Sequence, residues 1–140
     1  MRFASYRDRM ARSVQRATAQ YMKFVSTNQV DILGYFRTNN RPADFDLPNA
    51  LKSLPGQGGS VLTWNNHPVE MLCLDAGTPG VTTNNLWVFV MDKNAVPDAP
   101  AASPQFAPVA RLMTASWSEG DKIYLVAAAG TEQDVKKYLQ

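Results

Sequence analysis

Residues 114–126 read TASWSEGDKIYLV and decide the fold class. Two apolar runs lie on either side of a short polar segment, in which Gly120 can adopt the left-handed conformation of a tight turn. The pattern predicts an antiparallel hairpin, with strands over residues 111–118 and 122–129. Gly130 ends the second strand, and the following residues TEQD are typical of a capping box at the start of a short C-terminal helix.

Further strands precede this hairpin. Residues 60–64 and 69–74 flank Asn65–Asn66, a pair that suits a two-residue turn because Asn tolerates positive φ. Residues 86–91 are apolar on both faces, which is typical of a central strand covered on both sides. The prolines of residues 94–108 predict an extended surface connection. Together these segments predict an α+β fold with an antiparallel sheet of about five strands, N-terminal helices and a short C-terminal helix.

The first part of the chain predicts helices. Apolar residues recur at gaps of three and four, so we expect an amphipathic helix over residues 4–25. A second helix is expected over residues 29–38 and a short one over 48–54, followed by a glycine-rich loop at 55–59. The apolar stripe consists of Phe3, Tyr6, Met10, Val14, Ala17, Tyr21 and Phe24.

Two uses of this stripe are consistent with the sequence. The stripe can pack on the sheet of its own domain, or it can pair with another helix, because the same spacing suits a coiled-coil seam. In the second case the chain forms a homodimer or pairs with another protein. The pairing face then consists of Phe3, Tyr6, Met10, Val14, Tyr21 and Phe24.

Charge is distributed unevenly along the chain. Residues 1–41 carry eight basic and two acidic residues, a net +6, and the remainder carries six basic and ten acidic residues, a net −4. The basic helix can lie against the acidic body, or it can face anionic lipid headgroups. The headgroup-facing candidates are Arg2, Arg7, Arg9, Arg12 and Arg16. Because the basic residues do not form one dense block, we do not expect a nucleic-acid partner.

Length and composition indicate a single domain over residues 1–140. We divide it into an amphipathic basic helix (1–26), a helical segment with a loop (27–59), and the sheet with the C-terminal helix (60–140). With 45% hydrophobic and 19% charged residues, the chain belongs with globular proteins. It has one cysteine, which excludes an intramolecular disulfide, and no apolar run of the ~18 residues that a membrane span needs.

The sequence does not carry a recognisable catalytic or metal-binding pattern. One histidine, His67, and one cysteine, Cys73, are too few for a metal site by spacing, and no serine lies in a nucleophile elbow. We therefore predict a protein that is not an enzyme and has no cofactor or metal. Trp64, Trp87 and Trp117 fall on three predicted strands, where they can pack the core or form an aromatic patch for a partner or ligand.

Several segments together resemble the extracytoplasmic C-terminal domain of bacterial membrane-bound anti-sigma factors, which are transmembrane transcriptional regulators. They are residues 3–7 (FASYR), 42–48 (PADFDLP) with Leu51, 61–73 (VLTWNNHPVEMLC), 86–90 (LWVFV), 96–100 (VPDAP) and 114–126. Asn66 stands where that family usually has glycine, and a left-handed turn accepts either residue. The chain lacks the family's zinc-binding helical module and its membrane span.

The resemblance implies a non-catalytic sensory or regulatory domain that follows the span, on the periplasmic side of the inner membrane. Its partners are then the rest of the anti-sigma factor and envelope signalling proteins, and the first helix passes the signal toward the membrane. Two alternatives stay open. One is a stand-alone soluble interaction module in the cytoplasm that dimerises through its N-terminal helix, and the other is a small ligand-binding protein.

Overall fold

A computed structural model of the chain describes residues 2–16, 22–77 and 85–140, and within them one antiparallel sheet has seven strands. The strands are β1 (Phe24–Val25), β2 (Gly56–Trp64), β3 (His67–Asp75), β4 (Asn85–Asp92), β5 (Gln105–Val109), β6 (Leu112–Glu119) and β7 (Lys122–Ala128). Their order across the sheet is β1-β2-β3-β4-β7-β6-β5. The predicted α+β class and antiparallel sheet are confirmed, with β1 and β5 as additional strands.

The helices are α1 (Phe3–Arg16), α2 (Gln29–Thr38), α3 (Asn49–Lys52) and α4 (Glu132–Lys136), with 3-10 turns at Lys93–Ala95 and Lys137–Leu139. The bounds of α2 match the prediction, and the Asn28 side chain caps it by accepting from the Val30 N–H. The predicted helix over residues 4–25 is too long, because Phe24–Val25 pairs with β2 as an edge strand. Residues 17–21 lie outside the described part of the chain. No helix among the described residues is long and apolar enough to cross a bilayer.

Helices cover the sheet on both faces. The apolar side of α1 packs on one face, against alternate residues of β3, β4 and β7 such as Met71, Phe89 and Leu125. The intervening residues of the same strands, such as Leu72, Val88 and Val126, point to the other face, where they meet α2, α3 and α4. Because both faces are covered, the central strands are apolar at nearly every position, as the sequence of β4 predicted.

The glycine-rich segment predicted to be a loop is part of strand β2. Gly58 pairs with Val25 on one side and with Cys73 on the other. A Cβ atom at Gly59 would lie 2.7 Å from the Ile32 side chain and 3.0 Å from the Met71 carbonyl oxygen. The prediction was wrong because glycine is usually depleted in strands, whereas here it lets α2 approach the sheet closely.

The proline-rich stretch predicted to be a surface connection divides into two parts. Residues 96–104 connect β4 to β5 without a helix or strand of their own, and we call them the proline-rich connection. The next five residues form β5, in which Pro108 pairs with Met113. A proline is tolerated there because β5 lies at the edge of the sheet, where one side of the strand needs no ladder partner.

Candidate binding groove at Trp117

The aromatic pair Trp117–Tyr124 lies at one end of the sheet, on the face covered by α2, α3 and α4. The two residues are direct cross-strand neighbours in β6 and β7. Their rings stack with centroids 5.5 Å apart and planes inclined by 13°. The Tyr124 hydroxyl accepts a hydrogen bond of 3.0 Å from the Asp46 backbone N–H, which fixes the segment before α3 against the pair.

A groove of about 270 Å³ opens beside this pair, and we call it the Trp117 groove. Segments far apart in the sequence form its walls: the start of α3, the proline-rich connection, the end of β6 and the C-terminal 3-10 turn. Its lining residues are Pro48, Ala102, Pro104, Trp117, Ser118, Glu119 and Leu139. A second depression, of about 350 Å³, continues it toward Asp46, Asn49 and Lys52 and shares Pro48, Trp117, Glu119 and Leu139.

Two carboxyl groups lie at this end of the sheet: Glu119 lines the Trp117 groove, and Asp46 lines its continuation. A hydrogen bond that protonated Glu119 can donate to Asp46 raises the pKa of Glu119 above its ordinary value, and slight desolvation and the negative charge of Asp46 add to the effect. Burial raises the pKa of the Tyr124 hydroxyl, and the charges of Glu119, Asp46 and Asp44 contribute in the same direction. This end of the sheet is an acidic environment around an aromatic surface.

The proline-rich connection contacts both faces of the protein. Val96 and Ala99 pack against the cluster that contains α1, and the Asp98 carboxylate accepts a hydrogen bond of 2.8 Å from the Phe3 backbone N–H at the start of that helix. Further along, the Ala101 carbonyl accepts from the Ser118 N–H, and the Pro100 carbonyl accepts from the Ser118 hydroxyl. The next residues of the connection, Ala102 and Pro104, line the Trp117 groove. One short segment thus joins the groove to α1.

Comparison with protein-family models, with curated proteins and with solved structures gives no match for this chain. The resemblance to anti-sigma factor domains therefore stays a proposal.

The predicted pairing face on the first helix is part of the protein core. Phe3, Tyr6, Met10 and Val14 are between 0% and 7% exposed and pack on the sheet, so they are not available to a second chain in this conformation. Phe24 belongs to β1, where its ring stacks on Tyr35 at 5.1 Å. Tyr21 lies outside the described residues. The structure therefore shows the first of the two predicted uses of the stripe, in which it packs on the sheet of its own domain.

Tyr6, like Val14, is fully buried. Its ring meets Trp64 edge to face at 5.4 Å, and its hydroxyl is buried without a hydrogen-bond partner among the described residues. Burial raises the pKa of this hydroxyl strongly. Tyr6 therefore contributes packing to the attachment of α1 and stays neutral at any ordinary pH.

Three of the predicted headgroup-facing arginines, Arg7, Arg9 and Arg12, lie in α1 outside its buried apolar side, and Arg2 directly precedes the helix. Arg2, Arg9 and Arg12 are exposed, and Arg7 forms an ion pair of 3.0 Å with Asp8. The side chain of Arg16 lies outside the described part. Arg9 and Arg12 also line a shallow depression with Trp64 near the β2–β3 turn. The outer side of α1 is thus basic, as the charge distribution predicted.

The predicted aromatic patch does not form. Trp64 and Trp87 belong to the core on the α1 face, whereas Trp117 belongs to the opposite face, so the sheet separates them. Each is only 7% exposed. Side chains alternate between the two faces along each strand, and this alternation determines on which face each tryptophan lies. The sequence alone does not specify the register between strands, so it does not show which tryptophans share a face.

The reactive side chains considered in the sequence are not brought together. His67 and Cys73 lie six residues apart on the same extended strand β3, so about 20 Å separates them. Burial raises the pKa of the Cys73 thiol to about 12, which removes its nucleophilic thiolate at neutral pH. Within residues 2–16, 22–77 and 85–140, no three His, Cys, Asp or Glu side chains are grouped so that they could hold a metal ion.

Sequence reasoning missed the Trp117 groove itself. Asp46 and Glu119 are far apart in the chain, and each has the sequence context of a solvated acid near the end of an element. The one available signal was the segment 44–48, where two acidic residues precede a proline that starts a helix. Only the tertiary structure brings this segment against the end of β6.

Proposed function

We propose that this chain is a non-catalytic regulatory domain in which a partner binds at the Trp117 groove and the binding is transmitted to α1. The observation that carries the proposal is the path of the proline-rich connection. Within seven residues it accepts hydrogen bonds from the start of α1 at Asp98 and from β6 at Ala101, and it lines the groove at Pro104. A partner that binds at the groove end of the connection therefore affects the contact between its other end and α1.

The mechanism requires only a small change in the connection. Three prolines, at positions 97, 100 and 104, restrict its backbone. Because the segment bends little, a displacement of its groove end also displaces its other end. At its far end, Asp98 holds the first turn of α1 through one hydrogen bond and a favourable charge at the helix N-terminus. Displacing Asp98 changes the stability or position of that turn.

We further propose that this domain is the periplasmic part of a membrane-anchored anti-sigma factor, with the rest of that protein and envelope signalling proteins as its partners. The sequence resemblance supports this placement. So does the position of α1, whose exposed Arg2, Arg9 and Arg12 form a basic surface suited to the headgroups of a nearby membrane. In this arrangement α1 connects the membrane to the sensing domain.

The test is genetic and uses the full-length protein in its own bacterium. The coding sequence upstream of Met1 should encode an apolar span and a zinc-binding module, and deletion of the gene should raise a set of transcripts that share one promoter type. The Glu119→Gln variant, an exposed position that lines the groove, should change the same transcripts, whereas Glu132→Gln, on the exposed side of α4, should not. If deletion leaves every promoter class unchanged, the regulatory proposal fails.

A further inference from the structure

The size and shape of the Trp117 groove limit what it can bind. Sites for small molecules usually enclose about 300–1,000 Å³ and cover most of the ligand. The groove holds about 270 Å³ and its continuation about 350 Å³, and both are open to solvent, so the groove covers only part of any ligand. It is therefore suited to one side chain and the neighbouring backbone of a polypeptide that lies across the surface.

The charges around the groove select a cation. Asp46 and Glu119 line the same continuation of the groove, Glu119 also lines the groove itself, and the exposed Asp44 lies two residues before Asp46. Among the described residues that line the groove and its continuation, Lys52 is the one cation, and it belongs to the continuation. A positive group between Asp46 and Glu119 would be attracted by both carboxylates and could donate charge-assisted hydrogen bonds to each of them.

We propose that the groove binds an arginine side chain presented by an extended segment of a partner protein. The planar guanidinium has five N–H donors and can bond to both carboxylates at once, which the compact ammonium group of lysine does less well. Its methylene stem would lie along Trp117 and Leu139, and Pro48 and Pro104 would contact the flanking backbone. This inference rests on the proposed function and adds the chemistry of the partner.

The experiment uses a short acetylated and amidated peptide with one arginine between two prolines, followed by two-dimensional NMR of the whole chain. We expect the arginine peptide to shift the Trp117 indole N–H and the amides of Glu119 and Ala102. The control peptide carries citrulline, which has the shape of arginine without its charge, and it should bind about tenfold more weakly or worse. The Trp117→Phe variant identifies the indole signal.

Variants of the rim test the role of each carboxylate. Glu119→Gln and Asp46→Asn should each weaken binding of the arginine peptide several-fold. Glu132→Gln, an exposed carboxylate on α4 that faces Lys136, should leave binding unchanged. Because Asp46 and Glu119 are both exposed, their amide variants should keep the fold, and one-dimensional spectra check this directly.

The outcomes separate this inference from the proposed function. If the citrulline peptide binds as well as the arginine peptide, or if neither shifts the Trp117 signal, the arginine proposal is overturned, while the genetic test of regulation still stands. If the arginine peptide binds at Trp117, and Glu119→Gln weakens that binding but leaves transcription unchanged, the binding inference holds and the regulatory function fails.

Discussion

The backbone N–H of Phe3 donates a hydrogen bond of 2.8 Å to the Asp98 carboxylate, although 95 residues separate the two in sequence. This contact attaches the start of α1 to the proline-rich connection. It also places a negative charge at the N-terminus of a helix whose own first turn has no acidic residue. The attachment of α1 therefore depends on a residue that belongs to the same segment as the groove wall.

Replacement of Asp98 should loosen α1. Asp98→Ala removes the hydrogen-bond acceptor, and we expect the free energy of unfolding to fall by about 1 kcal/mol, the usual cost of losing a helix cap. Asp98→Asn keeps an acceptor oxygen without the charge and should cost less. Urea unfolding followed by tryptophan fluorescence measures both. Equal stability of the wild type and both variants would show that the contact does not support α1.

Gly59 should not tolerate a side chain, whereas Gly34 should. A Cβ at position 59 would meet the Met71 carbonyl oxygen at 3.0 Å, and that backbone atom cannot move without distorting β3. We expect Gly59→Ala to lower the free energy of unfolding by about 1–3 kcal/mol. Gly34 lies within α2, and a methyl group added there would meet no atom within 4 Å, so Gly34→Ala should raise stability by about 0.5–1 kcal/mol. Thermal unfolding of the two variants shows whether each substitution raises or lowers the stability. A Gly59→Ala protein as stable as the wild type would contradict the close approach of α2.

The buried Glu70 should depend on Arg41. The Glu70 side chain is 2% exposed, and Arg41 Nη2 lies 3.3 Å from its Oε1. Burial raises the pKa of Glu70, and Arg41 opposes that rise. Arg41→Met leaves a buried carboxylate without its partner and should cost about 3 kcal/mol at neutral pH.

The pH dependence of that loss identifies its cause. Without Arg41, the pKa of Glu70 in the folded protein rises further above its unfolded value, so the folded state holds a proton that the unfolded state has released. The extra destabilisation should therefore be absent in acid, below the unfolded pKa, and should grow as pH rises through the folded pKa. The double variant Arg41→Met/Glu70→Gln should be more stable than Arg41→Met at neutral pH. A loss of stability that stays constant with pH would mean that lost packing of the Arg41 side chain, and not the unpaired charge of Glu70, is the cause.

The titration of Glu119 should depend on Asp46. Asp46→Asn removes the negative charge and the acceptor that favour protonated Glu119, so the pKa of Glu119 should fall toward its ordinary value. Carbon-13 NMR of the side-chain carboxyl groups follows the titration directly. Asp44→Asn is the matched control and should move the pKa of Glu119 less. An unchanged Glu119 titration in Asp46→Asn would mean that the two groups do not interact.

Local signals in the sequence predicted the elements that depend on local chemistry. Asn65 and Asn66 adopt positive φ angles of 48° and 66° in the β2–β3 turn, and Gly120 does so at 60° in the β6–β7 turn. The Thr131–Asp134 capping box is present at the start of α4. In each case the side chain or the absence of one determines the backbone conformation within a few residues.

The features that the sequence did not predict depend on contacts between distant segments. Gly56 and Gly59 lie in a strand with the Ile32 side chain of α2 packed over both, and no local preference of glycine indicates that. The separation of Trp64 from Trp117 follows from strand register, and the groove follows from the meeting of α3, the proline-rich connection and β6. Each of these features can be recognised only in the tertiary structure.

Amide hydrogen exchange in the Ser118→Ala variant tests the central claim, that the groove and α1 are coupled through the proline-rich connection. The substitution removes the hydroxyl that donates to the Pro100 carbonyl beside the groove, and it leaves Asp98 and α1 unchanged. Ser116→Ala, a buried serine two positions earlier in β6, is the control.

We predict that the amides of the first turn of α1, from Phe3 onward, exchange about fivefold faster in Ser118→Ala, as a local loss of about 1 kcal/mol implies, while amides of α2 keep their rates. In Ser116→Ala both helices should exchange as in the wild type. If Ser118→Ala accelerates exchange in the connection but leaves α1 at its wild-type rates, the two ends are independent and the account of signal transfer is wrong.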